Sequence, residues 1–201
     1  AALTVVTESD SKEYDGTALT ADGSITGFVN NETATFAVTG SQTEVGKSDN
    51  TYSLTWDGTA VKSDYELDET IGKLEVTKSE KELKVASADG EWTYDGAAHT
   101  NKTYTVTYGD EEIKGTEGQT EFELPTGDVL TITPAQTATI THVAESDVDN
   151  AFTWTVENED FYTKGEDEVG ALTVTPATLT IVTESDSKEY DGTALTADGS
   201  I

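Results

Sequence analysis

The chain of 201 residues carries 11 lysines, no arginine and 40 acidic side chains, for a formal net charge of −29. That much negative charge repels phosphodiester backbones and anionic lipid, which makes nucleic acid a poor candidate partner and disfavours docking on an anionic membrane surface. No apolar run is long enough to span a bilayer and no segment has the form of a signal peptide; without cysteine there is no disulfide, thiolate nucleophile or cysteine-ligated metal.

Periodicity decides between order and disorder, since high charge with modest hydrophobicity suits either. In chain order, Ala34, Phe36 and Val38 alternate with threonine and alanine, and Tyr52, Leu54 and Trp56 with threonine and serine. Further on, Tyr104, Val106 and Tyr108 alternate with threonines, as do Phe152, Trp154 and Val156 with Ala151, Thr153 and Thr155. Large side chains on one face and threonine on the other describe half-buried antiparallel strands. Asp-Gly, Asn-Asn and Ser-Asp pairs between the runs favour turns. Only Ser79 to Leu83 has a helical pattern, and it is too short to form an element. The 37 threonines agree with an ordered all-β chain.

Self-similarity organises the sequence. Residues 1–25 recur as residues 177–201, an offset of 176, with only Ala2/Thr178 and Val5/Ile181 differing. A weaker copy divides that period. Leu3 precedes Tyr14-Asp15-Gly16 by 11 positions, as Leu83 does Tyr94-Asp95-Gly96 and Leu179 does Tyr190-Asp191-Gly192. The module ends correspond as well, Gly72 to Thr77 with Gly170 to Thr175. The expected organisation is a short first module over 1–77, a longer second module over 78–176, and an incomplete next copy over 177–201. The additional residues of the second module, around Thr103 to Leu124, read as an extra hairpin turning at Gly109-Asp110. The junctions are short, so neighbouring modules should meet at a restricted angle, and the last 25 residues are too few to build a core alone.

The Lys12-Glu13-Tyr14-Asp15-Gly16-Thr17 stretch, the Gly-x-Leu-x-Val-Thr module ends, and the segments around Leu124 to Thr133 and Asp149-Asn150 resemble the MBG/YDG-type tandem repeats of bacterial cell-surface, adhesin-like proteins. The resemblance covers essentially the whole chain. It implies secreted or wall-attached proteins in which β-modules, immunoglobulin-like or β-grasp-like sandwiches, form an elongated array of two unlike modules per period. The family is defined by architecture, so no catalytic residue carries over. Read from the residues themselves, glycine in the Tyr-Asp-Gly triplet supplies positive φ and aspartate bonds the turn's own amides, while tyrosine lays its ring on a core with its hydroxyl in water.

Candidate chemistry is sparse. His99 and His142, the latter placed on a strand with Ile140, have no partner at ligand spacing, so zinc is not expected; no nucleophile elbow suggests a triad, and the chain is expected not to be an enzyme. Two acidic clusters, Glu145, Asp147, Asp149 with Asn150, and Asp64, Glu66, Asp68 with Glu69, read as solvated loops. Calcium is the one cofactor they would suit, as a hard cation wanting several oxygens, although neither matches an EF-hand. Surface stalks resembling this one sometimes carry Lys–Asn isopeptide or Thr–Gln ester bonds. Lys12, Lys84 and Lys188 with Asn50 and Asn150 are the residues to inspect for the former. The leading reading is an extracellular bacterial stalk or fibre shaft whose partners are neighbouring modules of its own chain. The alternatives are an adhesive module that recognises host glycan or mucin through exposed tyrosines and Trp56, Trp92 or Trp154, and a filament of like chains.

Overall fold

The computed structural model describes residues 1–201 as an all-β chain whose only helical elements are three single 3-10 turns. Up to Thr77 the strands are β1 (Ala2–Thr7), β2 (Asp10–Glu13), β3 (Gly23–Thr26), β4 (Thr35–Val38), β5 (Gly46–Asp49), β6 (Tyr52–Thr55), β7 (Glu66–Thr70) and β8 (Lys73–Thr77). They form sheets β3-β1-β7 and β2-β8-β5 and the ribbon β4-β6. β1 and β2 are nearly continuous, and the chain leaves one sheet for the other across Glu8-Ser9. Inward residues alternate along β1, where Leu3 and Val5 are completely buried and their neighbours Ala2, Thr4 and Val6 face out.

Beyond Thr77 follow β9 (Glu82–Ser87), β10 (Gly90–Thr93), β11 (Tyr104–Tyr108), β12 (Glu111–Lys114), β13 (Glu121–Glu123), β14 (Val129–Pro134), β15 (Val148–Asp149), β16 (Phe152–Val156), β17 (Thr163–Lys164) and β18 (Ala171–Thr175). Their sheets run β12-β11-β9-β17, β10-β18-β15 and β13-β14-β16. The pairing scheme is that of the first half with β12 and β13 appended at two edges. β11 and β12 pair antiparallel across Gly109-Asp110. No strand pair joins the two halves.

The four alternating runs pair antiparallel as read, β4 with β6, β11 with β9 and β12, and β16 with β14. What the sequence did not indicate is that the first strands of each half run parallel to its last: β1 with β7, β2 with β8, β9 with β17 and β10 with β18. Alternation reports which face is buried and says nothing about the neighbour's direction. The long chain excursion between first and last strands supplies the crossover that parallel pairing requires. The Ser79–Leu83 segment forms no helix, in keeping with its short length: Ser79 is buried and Glu82 begins β9.

The final 25 residues carry only the two-residue strands β19 (Val182–Thr183) and β20 (Gly199–Ser200), paired with each other. Leu179 is 77 % exposed where its twin Leu3 is 0 %, and Tyr190 is 98 % exposed. The same sequence packs at one end of the chain and lies open at the other, because only the first copy has β7 and β8 to pair with.

Candidate functional site: a tyrosine–aspartate seam

The largest hydrophobic cluster is shared between the halves. It unites Tyr14, Leu19, Leu74 and Val76 from the first with eleven buried residues from the second, including Tyr108, Leu124, Leu130 and Tyr162. Smaller clusters sit at either side, Leu3 with Ala60 and Tyr65, and Ile140 with Leu172 and Val174.

Tyr14 is the hinge-pin of this arrangement. Its backbone N–H donates to Thr77 O at 2.9 Å, which fixes it at the end of β2 beside the last residue of β8. Its ring meets Phe161 and Tyr162 edge-on, with centroids 5.0 and 5.8 Å away, and Tyr162 in turn meets Tyr108 at 5.8 Å. Such edge-to-face pairs add about 0.5–1.5 kcal/mol each beyond their area. The Tyr14 hydroxyl, expected in water, is instead buried and donates to Asp128 Oδ2 at 2.9 Å. The ring turned toward the second half rather than solvent because a carboxylate lies there to satisfy it.

Asp128 is 7 % exposed and accepts three hydrogen bonds: from Tyr14, from the Tyr162 hydroxyl at 2.5 Å, and from Asn158 Nδ2 at 2.9 Å. A buried carboxylate is tolerated only when donors of this kind surround it. The Leu124-Pro125-Thr126-Gly127 turn presents it, closed by Gly127 N–H donating to Leu124 O at 2.9 Å, and Thr126 Oγ1 bonds the Tyr162 hydroxyl. Against this turn lies Gly16, at φ +79°; a Cβ there would sit 1.8 Å from Thr126 O. The connecting residues are held as well. Ser79 N–H donates to Phe161 O, its hydroxyl bonds the Tyr108 hydroxyl at 2.8 Å, and Glu80 N–H donates to Glu13 Oε2.

Burial and the Asp128 carboxylate push the Tyr14 phenol up to about 12 and raise Tyr162 as well; Tyr52, half-buried and bonded to Glu69, is also pushed up to about 12. An acid whose folded-state pKa lies above its unfolded value stabilises the fold fully below that unfolded value, near 10, and loses the contribution as pH rises through the folded one. Urea unfolding is therefore expected to show no loss from these groups up to about pH 10 and a steep loss between about 10 and 12. Tyr14→Phe should flatten part of that loss; an equally steep profile in the variant would remove Tyr14 from the account.

The three Tyr-Asp-Gly triplets share one local geometry and differ in surroundings. Each aspartate accepts from the backbone N–H two residues on, Thr17, Ala97 or Thr193, at 2.8–2.9 Å, and each glycine has φ between +74° and +83°. Lys12 holds Asp15 at 2.6 Å and lowers it to about 2; in the second triplet Ala97 N–H and His99 lower Asp95; in the third the Thr193 hydroxyl, its N–H and Lys188 lower Asp191. Tyr14 is buried at the seam, Tyr94 is 39 % exposed, and Tyr190 is open.

The remaining candidates are dispersed. Glu145 accepts from the N–H groups of Thr141 and His142, and Asp147 accepts from the Thr173 hydroxyl. Asp149 pairs through its backbone in β15, and Asp64 takes the N-terminal amine on its carbonyl. Glu66 and Asp68 lie along exposed β7. No three acidic or histidine side chains converge as a metal-binding group. His142 is not on a strand. Ile140 makes a single bridge to His99, and His142 caps the 3-10 turn Val143–Glu145, its ring stacked on Tyr94 at 5.8 Å while His99 stacks on Trp92 at 4.8 Å. Asn50 and Asn150 spend their amide N–H groups on backbone carbonyls, and Lys12 and Lys188 bond their own triplets, so no lysine–asparagine pair forms. Trp56 stacks on Tyr65, and Lys164 lies over Trp154; the tryptophans do not share a groove.

Sequence reasoning missed Asp128, Asn158 and Tyr162. A signal existed for the first: it follows a Pro-Thr-Gly turn and opens the apolar run Val129 to Ile132. Comparison with family models, with characterised proteins and with solved structures yields no match to this chain.

Proposed function

We propose that this chain is a non-catalytic spacer, a segment of a stalk or fibre shaft on the outside of a bacterial cell, whose partners are the neighbouring modules of the same chain. One observation carries the reading: successive halves are packed face to face through the buried Tyr14–Asp128–Tyr162 network, with no flexible tether between them. Such a joint transmits orientation from one unit to the next, which is what a projecting shaft needs and an isolated binding domain does not. The 176-residue repeat and the likeness of its motifs to surface-protein repeats support the same reading. The charge of −29 keeps parallel copies apart. No helix is long and apolar enough to cross a membrane.

Small-angle scattering tests it. The maximum dimension is expected to grow linearly as further 176-residue periods are added, with a cross-section that stays constant. A dimension growing as the cube root of mass, or a random-coil profile, would overturn the proposal.

A further inference from the structure

The seam has counterparts left open at either end of the period. Strand register places β4 on β14, since Val38 pairs with Tyr52 as Pro134 pairs with Phe152. Counting back puts Glu32 where Asp128 stands. Tyr65 follows the 3-10 turn Lys62–Asp64 as Tyr162 follows Glu159–Phe161. The pair is made: the Tyr65 hydroxyl donates to Glu32 Oε2 at 2.6 Å, as Tyr162 donates to Asp128. What Asp128 has and Glu32 lacks is a second ring, donating from a neighbouring unit, and an asparagine amide. Beside Glu32 lie Val29 and Val61, 44 % and 56 % exposed.

The matching donor stands at the other end. Tyr94 N–H donates to Thr175 O as Tyr14 N–H donates to Thr77 O, so each tyrosine occupies the same place at the end of its half. Tyr94 remains partly exposed, and nothing lies within 4 Å of where a Cβ on Gly96 would be, the position at which Gly16 meets Thr126. The chain states which neighbour comes next, because residues 177–201 repeat residues 1–25. Both histidines flank the Tyr94 turn, while the opposite face carries Glu32 and Asp64.

We infer that Tyr94 docks on the Glu32–Tyr65 pair of the next copy of the first half, its phenol donating to the glutamate as Tyr14 donates to Asp128. The inference rests on the spacer reading and specifies its second kind of joint. The two joints differ in detail. Val61 and Asp64 stand at the places of Asn158 and Phe161, and six residues separate Val76 from Leu83 where four separate Val174 from Leu179. Two fewer residues shorten the reach by about 7 Å, so a shaft built this way alternates a longer and a shorter joint.

The test uses the chain lengthened by one period, residues 1–176 placed ahead of 1–201. Since the protein has no cysteine, Ala97→Cys in the leading copy and Val29→Cys in the trailing copy form a unique pair for a short bismaleimide, mapped by mass spectrometry. Thr17→Cys with Pro125→Cys, which line one groove at the existing seam, form the control. The Ala97–Val29 pair is expected to join within one chain, and Tyr94→Ala in the leading copy to cut that joining at least tenfold while the control pair still joins. Failure to join when the control joins, or joining indifferent to Tyr94→Ala, overturns the docking. Scattering from the same lengthened chain reads the spacer proposal separately, since an extended profile without Tyr94-dependent joining sinks only the docking.

Discussion

Asp128→Ala is expected to lower the unfolding free energy by about 2–4 kcal/mol, measured by urea unfolding at neutral pH. The carboxylate takes three donors, and its loss leaves the Tyr14 hydroxyl without a partner in a buried place, while Tyr162 keeps Thr126 and the exposed Asn158 amide turns to water. An orphaned buried donor costs about 1–3 kcal/mol and each lost bond to a charged acceptor about 1.5–3 kcal/mol, and relief of the carboxylate's own desolvation offsets part of the sum. Tyr14→Phe removes one bond to a charged acceptor and should cost about 1.5–3 kcal/mol. The two changes share an interaction, so the double variant should lose less than the sum of the singles. Strict additivity would show that the hydrogen bond contributes nothing and that Asp128 acts only through its turn.

Gly16→Ala is the second large effect, expected at about 3–5 kcal/mol, against about 1–2 kcal/mol for Gly96→Ala. Both glycines hold φ near +80°, so both variants bear the cost of an L side chain in the left-handed region. Only Gly16 has a neighbour in the way, with Thr126 O at 1.8 Å from the new Cβ. Relieving that clash means drawing the halves apart and exposing part of the Tyr14 ring, which adds about 1.5–3 kcal/mol. The difference between the two variants therefore isolates the seam. Equal melting losses in both would mean that the Gly16–Thr126 approach carries no energy.

Much of this architecture could be read from residue order. Tyr104, Val106 and Tyr108 are buried in alternation as their spacing required, and the all-β character follows from four such runs. The antiparallel pairing of those runs could be read as well, but the parallel pairing of the opening strands could not, because β1 shows which side chains turn inward but holds no trace of β7 beside it, some sixty residues on. His142 was misplaced for a related reason: Thr139 to His142 alternates like a strand, yet only Ile140 finds a partner, and the chain turns at once into a 3-10 cap. The seam was the least legible part. Asp128 is one of 40 acidic residues, and only the convergence of Tyr14 from one distant stretch with Asn158 and Tyr162 from another distinguishes it from those in solvent. The tyrosine of each triplet was visible; which of the three would be buried depended on what stood opposite.

The parallel pairing of first and last strands also bears on how such a chain leaves the ribosome. β1 and β2 emerge long before β7 and β8, so one edge of the first strand and the whole of the second wait unpaired while some sixty residues are synthesised, and in the second unit some eighty. Waiting strands are prone to capture by a similar sequence nearby, the characteristic misassembly of tandem proteins. Here the adjacent unit opens differently, with Lys84, Ala86 and Trp92 at the places of Thr4, Val6 and Lys12, and the near-identical competitor lies 176 residues away. Interleaving two dissimilar units thus works as proofreading during synthesis, keeping interchangeable strands out of each other's range until their own partners arrive.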